Sequence, residues 1–169
     1  MSGKMAVGGL RAGVEPFIEQ LAAPTATPGG GSASAASAAM AAGLAGMVAS
    51  MSRGKKAYAQ YDGQLSDAIG RLANLREELK SAIDADAESY NTVMKAHKTA
   101  KESADSGTLI NSALKEATRV PLGVAERAAE IAAMVDTLRP ITSPNMASDL
   151  TTAVALARAA LEGALANME

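Results

Sequence analysis

The sequence has no cysteine, no tryptophan and a single histidine, His97. Without cysteine, the chain has neither a disulfide scaffold nor a cysteine nucleophile, and one histidine makes a histidine-rich metal site implausible. Aromatic residues make up only 2% of the chain. Because strands favour aromatic and β-branched side chains, this scarcity argues against a sheet protein.

A strong charge of either sign is also missing. Lys and Arg total 16 and Asp and Glu total 18, which gives a net charge of −2. No overall field therefore points to nucleic acid, and a hydrophobic fraction of 48% argues against disorder. The first 13 residues lack the apolar core of a signal peptide, so we expect a cytoplasmic protein with no membrane partner.

Alanine is abundant, at 39 of the 169 positions. It loses no side-chain entropy on entering a helix, so this composition favours helices. Glycine and proline positions divide the chain into about six of them. We therefore predict an all-α fold, a compact helical bundle that forms a single domain over residues 1–169, with residues 1–13 flexible.

The second predicted helix lies in an uncharged stretch, from Leu21 to Ser52, that is long enough to suggest a membrane span. Prolines and glycines interrupt this stretch, and its remainder is mostly Ala, Ser and Gly. We therefore expect a long, central, buried helix of a soluble bundle, from about Ser32 to Arg53. Small residues recur at four-residue steps along it. Its large apolar residues form one stripe, Met40, Leu44, Met47, Val48 and Met51.

The third predicted helix, over about 65–101, is the longest. Two interleaved seven-residue series predict a seam along it that faces other helices and includes Tyr90 and His97. Asp86 occupies a seam position where the series otherwise holds leucine or valine. Burying an unpaired carboxylate is costly, so Asp86 is either half of a structural ion pair, with Arg76 for example, or an acid or base in a cleft.

Three glycines, Gly29, Gly30 and Gly31, directly precede Ser32 at the start of the second helix. Exposed amides at a helix N-terminus can bind an anionic or carbonyl group of a ligand. The same glycines are compatible with a hinge or a close helix crossing, and their spacing is not that of a P-loop.

Two further polar groups lie at predicted helix ends. Ser148 and Asp149 open the last helix, where they suit an N-cap and the helix dipole. Asp149 also shares a face with small residues and Asn167, which suggests close packing along a cleft. Lys55 and Lys56 follow the second helix, where they either complement its dipole or form a cationic patch for an acidic ligand.

Together these segments resemble the cyclodeaminase domain of formiminotransferase-cyclodeaminase and its stand-alone bacterial relatives. The resemblance extends from about Val14 to Asn167. Each motif is short, and the similarity lies in their order and spacing. The motifs are 28–32 with the alanine-rich helix, 54–56, 84–88, 120–122 with 125–126, Asn145, 148–150 and Asn167.

This resemblance implies an all-helical protein that forms a homodimer through helix packing, with a folate substrate and no further cofactor or metal. The implied reaction is cyclisation of 5-formimidoyltetrahydrofolate to 5,10-methenyltetrahydrofolate with release of ammonia. A relative in the same family is described as a methenyltetrahydrofolate cyclohydrolase, and the short motifs do not separate the two activities. A non-catalytic helical dimerisation module is the alternative from another class.

The same resemblance implies a set of site residues. We predict that Asp86 and Asp149 lie in one cleft and share the acid–base work at N10 of the folate and at the departing nitrogen. Lys55 or Lys56 is expected to meet the glutamate tail. The predicted substrate-binding residues are Gly29, Gly30, Gly31, Ser32, Lys55, Lys56, Asp84, Asn145, Ser148 and Asn167.

Overall fold

The computed structural model describes residues 9–100 and 106–168. These ranges contain no strand, so the prediction of an all-α fold is confirmed. Three short 3-10 turns cover Lys56–Tyr61, Arg139–Ile141 and Pro144–Met146. The α-helices are α1 (Gly9–Ala22), α2 (Gly30–Ser52), α3 (Asp62–Ala100), α4 (Ser106–Ala117), α5 (Arg119–Leu138) and α6 (Ala147–Ala166).

Helix α2 is the centre of the bundle, as predicted, and packs against α3, α5 and α6. Its buried side consists of alanine, serine and glycine together with Val48. Small side chains let neighbouring backbones approach closely, which compensates for the scarcity of bulky core residues. By length and hydropathy α2 also passes as a membrane span, but half of its most apolar window is buried inside the bundle.

The large residues of the α2 stripe lie mostly on the opposite side of the helix. Val48 is fully buried, whereas Met40, Met47 and Met51 are 54%, 39% and 52% exposed. The close packing on the alanine side leaves no room for methionine there. The methionines of the stripe therefore point away from the core, whereas Leu44 and Val48 pack against it.

Helices α2 and α6 run antiparallel. At one end a Cβ on Gly163 would meet Ser34, and at the other the amide of Ser143 donates a hydrogen bond of 3.2 Å to the buried Ser52 hydroxyl. Between them the Ser37 hydroxyl donates to a carbonyl of α6. The start of α2 is consequently beside the end of α6, and the end of α2 is beside the start of α6.

Helix α3 follows the predicted seam through its first half only. Leu65, Leu72 and Leu79 are buried, in agreement with the seven-residue series. Helix α4 also packs against α3, and beyond Asp86 both Tyr90 and His97 are exposed. The prediction that His97 faces other helices is therefore wrong.

Two ion pairs join α3 to α5. Arg71 donates to both carboxylate oxygens of Glu130, at 2.5 and 2.6 Å, and Arg127 donates to Glu78 at 2.6 Å. The hydrogen bond from Arg71 lowers the pKa of Glu130 and raises the pKa of Arg71 itself. These contacts fix the register of two helices whose shared surface is largely apolar.

Two predicted boundaries differ from the observed ones. Residues 9–13 belong to α1 rather than to a flexible segment, and the rest of that segment, residues 1–8, lies outside the described residues. The N-cap position of α6 is Met146, so the interpretation of Ser148 as an N-cap is wrong. Ser148 lies one position inside the helix, and Asp149 lies in the first turn, where the helix dipole favours an acidic residue.

Candidate functional site

The carboxylate of Asp86 lies against the first turn of α2. The hydroxyl of Ser32 is 3.0 Å from Oδ2 of Asp86 and 2.9 Å from the carbonyl oxygen of Ile83. Ser32 is completely buried, so its hydroxyl holds a fixed position. The ion-pair interpretation is not supported, because Arg76 pairs with its neighbour Glu77 instead. In the described part of the chain, Asp86 is held by a hydroxyl rather than by a cation.

Gly31 explains how the carboxylate reaches this position. A Cβ on Gly31 would lie 2.0 Å from Oδ1 of Asp86, far inside van der Waals contact. Glycine is therefore required because α3 brings a carboxylate onto the backbone of α2. The first amides of α2 and its dipole favour a negatively charged group at that place, whether it comes from the protein or from a ligand.

Asp86 opens into a pocket of about 500 Å³, a volume typical of small-molecule sites. Segments from five regions form its wall, namely the loop before α2, the first turn of α2, α3, the junction of α4 with α5, and the end of α6. The aromatic ring in this wall is Tyr90. The lining residues are Ala26, Thr27, Gly29, Gly30, Gly31, Asp86, Ser89, Tyr90, Val93, Leu114, Ala117, Thr118, Pro121, Asn167 and Met168.

Asn167 closes the pocket at the end of α6. Its side-chain amide donates a hydrogen bond of 2.7 Å to the carbonyl of Gly163. A Cβ on Gly30 would approach the same amide at 3.3 Å. The antiparallel packing of α6 on α2 thus places an amide side chain beside residues 29–31, which we call the glycine turn. The same amide lies in the same pocket as Asp86.

The structure brings together one half of the predicted site. Gly29, Gly30, Gly31, Ser32, Asp86 and Asn167 meet at the start of α2. Lys55, Lys56, Asn145, Ser148 and Asp149 lie at the opposite end of the bundle, where α2 ends and α6 begins. Asp84 lies near Asp86 in sequence but is exposed on α3.

One chain therefore does not form the predicted cleft shared by Asp86 and Asp149. Gly163 packs beside the first turns of α2, and Asp149 precedes it by about four turns of α6, roughly 20 Å along the helix axis. Direct proton exchange between the two carboxylates of one chain is excluded at that separation. The reason is the antiparallel run of α6, which carries Asp149 away from the glycine turn.

Sequence reasoning missed the part of the pocket that α4 and its junction with α5 supply. Leu114, Ala117 and Thr118 line the site but carry no motif. Pro121 also lines the site. The sequence could have indicated this residue, because it belongs to one of the motifs that resemble the cyclodeaminase domain. Helical periodicity shows which residues share a face but not which other helix covers that face.

The model of the family described as Formiminotransferase-cyclodeaminase matches residues 13–169, nearly the whole chain. The chain belongs to the formiminotransferase-cyclodeaminase family.

Relatives in the formiminotransferase-cyclodeaminase family carry two kinds of name. A methenyltetrahydrofolate cyclohydrolase from Methylorubrum extorquens is 35% identical over 92% of this chain and 76% of its own length. A formimidoyltransferase-cyclodeaminase from Rattus norvegicus is 31% identical over 94% of this chain, which corresponds to 30% of the rat protein. The chain thus spans less than a third of that bifunctional relative.

A solved structure of the same family has the same fold. The crystal structure of formiminotetrahydrofolate cyclodeaminase from Thermotoga maritima superimposes with a TM-score of 0.84 at 30% identity. The match covers 92% of this chain and 75% of the Thermotoga chain. The relatives therefore support an enzyme of folate one-carbon metabolism and leave its particular reaction open.

Proposed function

We propose that this chain is a cytoplasmic folate one-carbon enzyme whose chemistry takes place in the Asp86 pocket. The observation that carries this proposal is the position of the Asp86 carboxylate, held by Ser32 over the first turn of α2 at the wall of a pocket of about 500 Å³. The names of the family members supply the substrate class. The geometry supplies a carboxylate in a fixed position and a turn of free backbone amides.

Two reactions fit a single carboxylate at this position. In the cyclodeaminase reaction, N10 attacks the carbon of the protonated formimidoyl group and loses a proton, and the nitrogen, which already carries two hydrogens, gains that one and leaves as ammonia. In the cyclohydrolase reaction, water adds to the methenyl carbon and loses one proton, and the bond from that carbon to N5 breaks as N5 gains a proton. The second proton of the water leaves to solvent as the formyl carbonyl forms. Each reaction moves one proton from the attacking group to the departing nitrogen, so Asp86 alone can serve both steps.

One observation ranks the cyclohydrolase and cyclodeaminase reactions. The relative that shares 35% identity and aligns over 76% of its own length is named a methenyltetrahydrofolate cyclohydrolase. This similarity puts the cyclohydrolase reaction first and keeps the cyclodeaminase reaction, which the family resemblance implies, as the second candidate. The Thermotoga structure, which bears the cyclodeaminase name, is the specific reason to keep it.

The pocket offers contacts for the ring system of the substrate. The amides at the start of α2 and the side chain of Asn167 offer hydrogen-bonding groups in its wall. Tyr90 also lines the pocket, and its aromatic ring can stack on the pterin or benzoyl ring. The binding roles of Asn145 and Ser148, at the far end of the bundle, remain predictions.

The test is an absorbance assay of the methenyl form with each substrate in turn. A cyclohydrolase consumes 5,10-methenyltetrahydrofolate, and a cyclodeaminase produces it from 5-formimidoyltetrahydrofolate with release of ammonia. Thermal unfolding with and without tetrahydrofolate provides an independent measure, because a ligand of the native state raises its melting temperature. No turnover of either substrate, together with no thermal shift, would refute the proposal and favour a non-catalytic helical module.

A further inference from the structure

The hydroxyl of Ser32 lies between two hydrogen-bond acceptors on α3. Its Oγ atom is 2.9 Å from the carbonyl oxygen of Ile83 and 3.0 Å from Oδ2 of Asp86. A serine hydroxyl carries a single hydrogen, so it donates one full hydrogen bond at a time. Ser32 is completely buried, and solvent therefore does not offer a third partner. The hydrogen points either to the carbonyl or to the carboxylate.

The charge of Asp86 decides between these two acceptors. Hydrogen bonds to an ionised group are roughly twice as strong as those between neutral groups, so the hydroxyl donates to Oδ2 while Asp86 is ionised. Once Asp86 carries a proton, Oδ2 is a neutral acceptor and this advantage disappears. The Ile83 carbonyl lies inside α3 and keeps a second lone pair beyond the one that the helix uses. Only the hydrogen has to rotate, because both distances already suit a hydrogen bond.

The two oxygens of Asp86 have different surroundings. A Cβ on Gly31 would lie closer to Oδ1 than to Oδ2, and Gly31 lines the Asp86 pocket. Oδ2 lies against Ser32, which is not among the described residues that line it. Oδ2 is therefore the anchored oxygen, and Oδ1 is the oxygen on the pocket side, where a proton passes to or from a bound molecule.

Few other charges act on this pair. All 23 residues of α2 are uncharged. Among the described residues that line the pocket, Asp86 and Tyr90 are the titratable ones, and the α4–α5 junction and α6 contribute neutral side chains. The neighbouring carboxylates of α3, Asp84 and Glu88, are exposed. A change in the charge of Asp86 therefore acts most directly on the hydroxyl that touches it.

We propose that Ser32 is a positioning residue whose hydroxyl hydrogen follows the charge of Asp86. It donates to Oδ2 while the carboxylate is ionised and turns to the Ile83 carbonyl when Oδ1 takes a proton from the attacking group. When Oδ1 gives that proton to the departing nitrogen, the hydrogen turns back, and no bond of Ser32 breaks. A group that acts first as base and then as acid needs such a partner, because both of its charge states must be accommodated in one place. The role in turnover rests on the proposed function, but the response of the hydroxyl to charge does not.

Carbon chemical shifts test the hydroxyl without reference to any activity. The backbone carbonyl carbon of Ile83, followed in uniformly labelled protein, moves downfield when its oxygen accepts an additional hydrogen bond. Asp86→Asn removes the charge, so we expect a downfield shift of this signal relative to wild type at pH 7. The same substitution in a Ser32→Ala background should leave the signal unchanged, because no hydroxyl remains. The carbonyl of Val48, which accepts from the buried Ser52 hydroxyl at 2.9 Å, is the internal control. No shift with Ser32 present, or an equal shift without it, overturns the proposal.

Turnover then tests the positioning role. Ser32→Ala should lower kcat for methenyl turnover by about tenfold or more, the effect of losing a hydrogen bond to a charged group. KM should stay within about twofold, since Ser32 does not line the pocket. Ser37→Ala, which removes another hydroxyl of α2 that donates to a backbone carbonyl, is the matched control and should turn over at the wild-type rate. A folded Ser32→Ala protein with normal kcat would overturn the positioning role. A wild type that turns over neither substrate, with the Ile83 shift present, would refute the proposed function alone.

Discussion

Replacing Gly31 with alanine tests whether the position of the Asp86 carboxylate matters. The new Cβ would lie 2.0 Å from Oδ1 of Asp86, whereas ordinary contact begins near 3.4 Å. The carboxylate must therefore retreat by about 1.4 Å, which removes it from the Ser32 hydroxyl. A misplacement of about 1 Å in a catalytic group can lower a rate by about 10². We expect kcat for methenyl turnover to fall by about that factor.

The stability of this variant should fall modestly. Alanine in a helix gains about 0.5–1 kcal/mol over glycine, and loss of the hydrogen bond to the carboxylate costs about 1.5–3 kcal/mol. The melting temperature, followed by circular dichroism, should fall only slightly or moderately. Gly46→Ala is the matched control on the same helix, because its Cβ would meet Leu72 at an ordinary 3.8 Å. A Gly31→Ala protein that is folded and turns over within twofold of wild type would refute the reasoning.

Two further predictions concern the packing of the bundle. Gly163→Ala places a Cβ 2.4 Å from the hydroxyl of Ser34 and should destabilise the fold by about 1–3 kcal/mol, whereas adding Ser34→Ala, whose Cβ would lie at 3.6 Å, should restore part of that loss in urea unfolding. Purely additive effects would contradict this contact. Glu130→Gln should cost at most about 1 kcal/mol at pH 7, since its ion pair with Arg71 is exposed. Because the native pKa of Glu130 is lowered, this stabilisation is present above about pH 4.3 and is lost as the pH falls through the native pKa. The two proteins should therefore become equally stable in acid.

The helical content and the central helix could be predicted from the sequence. Alanine composition, the charge-free segment and the glycine turn before Ser32 were sufficient for both. The orientation of α2 could not be predicted, because this helix is apolar on every side and periodicity alone does not show which side is buried. Packing settles the matter, since only the alanine side permits a close approach of α3 and α6.

The candidate site was predictable in its residue types but not in its assembly. Asp86 was conspicuous as a carboxylate in an apolar seam, and the structure gives the reason, a partner hydroxyl on Ser32 and a glycine with no Cβ. Asp86 and Asp149 were predicted to share one cleft, but within one chain they lie at opposite ends of the bundle. Sequence motifs show the order of segments along the chain, but they do not show the direction in which α6 packs across α2. The wall built from α4 had no sequence signal of its own.

The central claim is that folate chemistry takes place at Asp86, and the kcat of Asp86→Asn for methenyl turnover tests it most directly. The amide preserves the shape of the side chain but cannot accept a proton, so we predict a fall in kcat of about 10² or more. Asp67→Asn, an exposed change on the same helix, should turn over at the wild-type rate. A folded Asp86→Asn protein with nearly normal kcat would contradict the account.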